Sequence, residues 1–168
     1  SGNASRVVDS AASDSAIDEL RRLVERYPRL FVLTGAGCST GSGLPDYRDS
    51  QGAWKRTPPI PLPVFMAQPL PRARYWARSM VGWRAMAHAS PTSAHHALVR
   101  LEAAGHVRLL VTQNVDGLHD RAGSRAVTDL HGRIDTVCCL SCGQRSLRRV
   151  LQDDLLRCNP SLAGLAAL

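Results

Sequence analysis

The chain has 168 residues, 44% hydrophobic and 21% charged, with 21 basic against 14 acidic side chains and a net charge of +7. That size and composition suit one globular domain and exclude a wholly disordered, collagenous or low-complexity chain. No apolar run reaches the ~20 residues of a membrane helix, and the basic residues, all arginine except Lys55, are scattered rather than clustered as on a nucleic-acid surface. Neither a membrane nor a nucleic acid is therefore an expected partner; an anionic cofactor or substrate is the better use for the arginine excess.

Residues 1–13 are small and polar and read as a loose leader, with no secretory signal in them. The five cysteines then read as metal ligands or free thiols rather than disulfides. Asp14 can cap a helix over 14–27, with Ile17, Leu20, Val24 and Tyr27 at helical spacing. The run at 30–34 is short, apolar and β-rich, a buried strand, and Gly35-Ala36-Gly37 ends it. Residues 56–71 hold six prolines, a density that predicts a loop. A helix follows over 72–87, with Trp76, Met80, Trp83 and Ala87 on a core face. Ser90-Pro91 opens another, burying Ala94, Leu98, Leu101 and Ala104 and closing at Gly105. Strands are expected over 107–112 and 126–130, and a helix over 147–156. Strands alternating with helices predict an α/β fold with a parallel, Rossmann-like sheet. The three strands found are fewer than such a sheet normally has, so it is expected to be incomplete in this chain.

Chemistry gathers where strands end. Gly35, Ala36, Gly37 and Ser39 follow the first strand directly, and glycines there let backbone N–H groups approach a pyrophosphate. The same loop continues through Pro45, Asp46, Tyr47 and Arg48. Gln113, Asn114 and Asp116 follow the second strand and offer partners for an amide or for ribose hydroxyls. His131 follows the third and suits general-base work near neutral pH. Cys139 and Cys142 form a C-x-x-C pair, half of a tetrahedral zinc site.

Together these segments resemble the sirtuins, the NAD-dependent protein deacylases. GAGCSTGSGLPDYR at 35–48 is similar to the family's first cofactor motif, TQNVDGLH at 112–119 to its second, and LHG at 130–132 to its catalytic histidine motif, with the cysteine pair starting eight residues after His131. RYWARSMVGW and CLSCGQRSLRRVLQDDLLRCNP resemble the class II branch, typified by mitochondrial sirtuin four and bacterial relatives.

The resemblance implies an activity. The acyl oxygen of a modified lysine on a protein or peptide attacks the nicotinamide ribose of NAD. Nicotinamide leaves, and His131 takes a proton from a ribose hydroxyl on the way to O-acyl-ADP-ribose. By the same carry-over Gly35, Ala36, Gly37 and Ser39 hold phosphates. Pro45, Asp46, Tyr47 and Arg48 belong to the mobile loop by the nicotinamide ribose, and Gln113, Asn114 and Asp116 bind ribose and carboxamide. Tyr75 and Arg78, three apart on one helix face, resemble the reader of acyl groups that end in a carboxylate.

The resemblance also divides the chain into a leader (1–13), an NAD-binding part (14–136) and the start of a zinc-binding module (137–168). Two of four zinc ligands are present, and the family's second cysteine pair and adenosine-binding loop are not, which leads us to expect the N-terminal part of such an enzyme, with the activity assigned to the full-length parent in a bacterial cytoplasm. Protein mono-ADP-ribosyl transfer, or a non-catalytic remnant, is the alternative.

Overall fold

The computed structural model describes residues 4–46, 49, 51–53, 55 and 58–167. Helix α1 (Ala4–Arg26) leads into strand β1 (Leu30–Thr34) and a 3-10 turn (Ala36–Ser42). Helices α2 (Leu62–Ala67), α3 (Pro69–His88) and α4 (Ser93–Ala103) precede β2 (Val107–Thr112), α5 (Leu118–Ala122) and β3 (Val127–Asp129). Strands β4 (Thr136–Cys138) and β5 (Arg145–Leu147) and helices α6 (Arg148–Cys158) and α7 (Pro160–Ala167) complete the order. None of the described helices is long and apolar enough to cross a membrane.

β1, β2 and β3 form a parallel sheet in that order, and β4 pairs antiparallel with β5. The register sets Thr34 beside Thr112 and Thr112 beside Asp129, so all three strands end level. The ladder runs one rung further on each side: Gln113 N–H donates to the Thr34 carbonyl (3.0 Å) and Leu130 N–H to the Thr112 carbonyl (2.9 Å). The loops after the strands thus inherit the sheet's alignment, at the end where α/β folds place ligands.

Several expectations are corrected. α1 starts at Ala4, not near Asp14, and runs through residues read as a leader; no glycine or proline interrupts 4–26, and Pro28 disfavours helix at Tyr27. Of its expected face, Ile17, Leu20 and Tyr27 are exposed. The proline-rich stretch is not all loop. Pro63 and Pro69 sit in the first turns of α2 and α3, where a missing N–H breaks no helical bond. β1 is not buried on both faces: Phe31 is 64% and Leu33 54% exposed, and Leu109 of β2 beside them 39%, while Leu110 on the opposite face is 1%. Helix α4 packs against β2. Its most buried residue is His95, whereas Ala94 and Ala104 are exposed.

The aromatic stripe of α3 does enter the interior, with Ala87 outside it. Met80 is buried, and the Arg148 guanidinium of α6 lies over the Trp76 and Trp83 rings at 5.8 and 4.9 Å while Nη2 donates to Ser79 Oγ (3.0 Å). Cation–π contacts and stem burial are how such an arginine is accommodated indoors.

Candidate functional site

A cleft of about 620 Å³ opens at the level ends of the strands, within the usual size of small-molecule sites. Ala36, Gly37 and Ser39 line it from the 3-10 turn, Pro45 and Asp46 from the following loop, Gln113, Asn114 and Asp116 from the loop after β2, and His131 from beyond β3. Leu44, Pro59, Met86 and Val115 add an apolar wall; Leu44 and Val115 lie inside the two loop motifs, whereas Pro59 and Met86 carried no motif signal. Gly35 does not line the cleft; its carbonyl lies behind, accepting from Cys38 N–H and Asn114 Nδ2, both at 3.0 Å. Tyr47 and Arg48 lie outside the described residues. Tyr75 and Arg78 do not line it either: Tyr75 stacks edge-on against Phe65 and Trp76, and Arg78 is exposed on α3.

The floor is a closed hydrogen-bond set. Ser39 Oγ donates to Asp116 Oδ2 (2.7 Å), and Asn114 Nδ2 donates to Ser39 Oγ (3.1 Å) as well as to Gly35. Leu118 N–H donates to Asp116 Oδ1 (2.9 Å), so the carboxylate also caps the entry to α5. Asn114 N–H is itself held by Thr112 Oγ1 (3.0 Å). Fully satisfied buried networks rigidify a site. At the rim, Lys55 Nζ pairs with Asp46 Oδ1 at 2.7 Å.

His131 is exposed to the cleft, and its Nδ1–H donates to the Gln113 carbonyl (3.0 Å). A carbonyl only accepts, so the proton is on Nδ1 and the Nε2 lone pair is free. That is the tautomer a general base needs.

Beneath the 3-10 turn, Cys38, His95 and His119 bring three ligand-type atoms within 4.8 Å of one another. Sequence reading missed this group; its one signal was the T-x-x-H capping pattern at Thr92 and His95. Thr92 N–H donates to His95 Nδ1 (3.1 Å), which puts the ring proton on Nε2, the atom facing Cys38 Sγ at 3.8 Å. A nitrogen carrying a proton has no lone pair for a metal, so His95 Nε2 serves as a hydrogen-bond donor here, while His119 bonds Thr34 Oγ1 through Nε2 and leaves its buried Nδ1 without a partner among the described residues. Burial, first of all causes, lowers the pKa of both histidines and raises that of the Cys38 thiol, which Asp116 raises further.

Cys139 and Cys142 stand apart, exposed in the turn between β4 and β5. Gly143 supplies the positive φ (+74°) that closes the turn, its N–H donating to the Cys139 carbonyl (2.9 Å). The Cys142 and Ser141 N–H groups hold the Cys139 thiol below its ordinary pKa, and a thiolate is the ligand form. The donor set therefore fits half of a tetrahedral zinc site.

A sequence profile of the Sir2 family matches residues 35–162. The NAD-dependent protein deacetylase of Bordetella pertussis is 57% identical over 160 residues, covering 95% of this chain and 58% of its own. NAD-dependent protein deacetylase 2 of Bradyrhizobium diazoefficiens is 55% identical over 152 residues, covering 90% and 56%. The solved structure of Sir2Tm bound to a propionylated peptide matches with a TM-score of 0.68 at 32% identity, over 83% of this chain and 54% of that one. The chain spans about half the length of the curated relatives it matches.

Proposed function

The chain belongs to the Sir2 family, and from that premise we propose that it carries the general base and part of the cofactor cleft of an NAD-dependent protein lysine deacylase. Its substrates are acyl-lysine proteins or peptides, and its place is the bacterial cytoplasm, in keeping with bacterial relatives named for NAD-dependent deacetylation. One observation carries the reading: the turn after β1, the loop after β2 and His131 after β3 face a single cleft.

NAD, when bound, supplies a ribose carbon open to attack and nicotinamide as the leaving group. The residues of this chain do the rest. Ala36, Gly37 and Ser39 hold phosphate through the backbone N–H groups of the turn, the Ser39 hydroxyl being donated to Asp116, with Gly35 setting that turn from behind. Gln113, Asn114 and Asp116 hold ribose and carboxamide, and Pro45 and Asp46 face the nicotinamide end, with Tyr47 and Arg48 following them in the same cofactor motif. His131 takes a hydroxyl proton on Nε2, the Gln113 carbonyl fixing its ring. Cys139 and Cys142 belong to a zinc-binding module that begins near residue 137, and would hold the metal with two further ligands, fixing structure rather than taking part in the reaction.

The test mixes the full-length parent with NAD and an acyl-lysine peptide and follows nicotinamide and O-acyl-ADP-ribose. Both should form, and ADP-ribose transferred to protein would point to the transferase alternative instead. Absence of NAD-dependent nicotinamide release overturns the reading.

A further inference from the structure

Besides backbone bonds from Leu130 and Ile134, one side chain, Arg133, ties the turn that carries His131 to its surroundings. Arg133 Nη1 donates to Asp120 Oδ2 of α5 and lies 3.6 Å from Asp129 Oδ2 at the end of β3. Nη2 donates to Asp135 Oδ2 (2.7 Å) and Nε to Asp135 Oδ1 (3.4 Å), just before β4. The guanidinium thus spans the turn from Asp129 on one side of His131 to Asp135 on the other. It also ties that turn to α5, whose entry Asp116 caps. It lies against Gly117, where an added Cβ would stand 2.5 Å from Nη2 and the backbone has φ +70°, so only glycine admits the contact. Gly132, next to the histidine, takes φ +72°, a conformation that glycine adopts without steric cost.

We propose that Arg133 is the positioning residue of this site: by bridging Asp120, Asp129 and Asp135 it keeps the His131 ring hydrogen-bonded to the Gln113 carbonyl with Nε2 toward the cleft. The inference rests on reading His131 as the base. A planar fork with five donors can bridge three carboxylates, whereas a lysine ammonium, a compact point charge on a flexible stem, cannot hold the same geometry. The charges agree with the distances. Arg133 and Asp135 favour each other's ionised forms through their hydrogen bonds, while Asp129, further off, is moved upward by burial despite the arginine.

The experiment compares wild type with R133A, R133K and D120N by turnover and by nitrogen NMR of the His131 ring, which distinguishes Nδ1–H from Nε2–H. In R133A kcat should fall roughly 10–100-fold while KM for NAD moves about twofold or less, the cost of a misplaced group rather than of lost binding. R133K should recover only part of kcat, and D120N, which removes one tether and spares the fold, should lose about 3–10-fold. The Nδ1–H signal should weaken in the order D120N, then R133A. A ring signal unchanged in both variants, or a D120N enzyme with wild-type kcat, overturns the proposal. If wild type shows no NAD-dependent turnover, the functional reading fails instead, and the ring signal alone then decides the role of Arg133.

Discussion

The cleft and the cysteine turn use similar raw material, short loops with glycine and polar side chains, and arrive at opposite states. In the cleft, Ser39, Asn114 and Asp116 bond one another and the backbone, and Asn114 and Ser39 are buried. From Cys139 through β5 to Leu147 every residue is exposed, and the turn is held by backbone bonds and by contacts of the Cys138 and Cys139 thiols with its own backbone. The difference lies in what stands behind each loop. Three level strands fix the cleft's loops without help from a ligand, whereas an isolated two-stranded hairpin is marginal by itself. The first site is ready before binding; the second would be finished by the metal.

The largest expected effect tests whether readiness extends to chemistry. His131→Ala should lower kcat roughly 10²–10⁴-fold while calorimetric NAD affinity stays close to wild type. A mutant with near wild-type turnover would remove the histidine from the reaction. Next is Asn114→Ala, which removes one of two donors to the Gly35 carbonyl and the donor to the buried Ser39 Oγ. We expect it to cost about 1–3 kcal/mol in urea unfolding, a loss that no single change in the exposed turn should match.

The pH response separates the regions further. His95 and His119 have pKa values lowered in the folded protein, so the unfolded chain takes up protons first as pH falls. Their neutral burial leaves stability unimpaired above the ordinary histidine pKa of about 6.5, and stability declines as pH drops below it toward the folded values. Urea midpoints at neutral and mildly acid pH should show the decline, and His95→Gln should reduce it. A midpoint independent of pH across that window would contradict the assigned neutral pair. Smaller still, Cys139→Ser and Cys142→Ser should abolish any zinc content while moving metal-free stability by about 0.5 kcal/mol or less, as exposed substitutions do. A large metal-free loss would mean that the turn is part of the core. The least change is expected from Arg78→Met. With Arg78 off the cleft wall, acetyl- and glutaryl-lysine peptides should keep their relative rates within about twofold. Selective loss on the glutaryl peptide would establish the carboxylate reader.

What the sequence made legible was whatever depends on order along the chain. The strands at 30–34 and 107–112 stand out as apolar runs, and placing Ser39, Asn114 and His131 just past strand ends was enough to collect them in one cleft. What it hid depends on neighbours. Phe31 and Leu33 are as apolar as any core residue, and nothing local says that their face of the sheet is uncovered here. β4 and β5 are three residues each, without an apolar run, and His95 reads as a surface polar residue until α4 is laid on the sheet. Arg148 between two tryptophans is the same lesson with a charge: pattern reading sends arginine outward, and only the packing of α6 on α3 brings it in.

The rungs that continue past the strands have a dynamic consequence. Loops beside a ligand site ordinarily open locally, far more often than the whole protein unfolds. The amides of Gln113 and Leu130 are donated to the carbonyls of Thr34 and Thr112, so exchanging them with solvent requires parting β1 from β2 or β2 from β3. The backbone that carries Gln113 and the turn of His131 therefore keeps the sheet's clock: in hydrogen exchange these two amides should persist with the strand interior, while those of the cysteine turn are lost early.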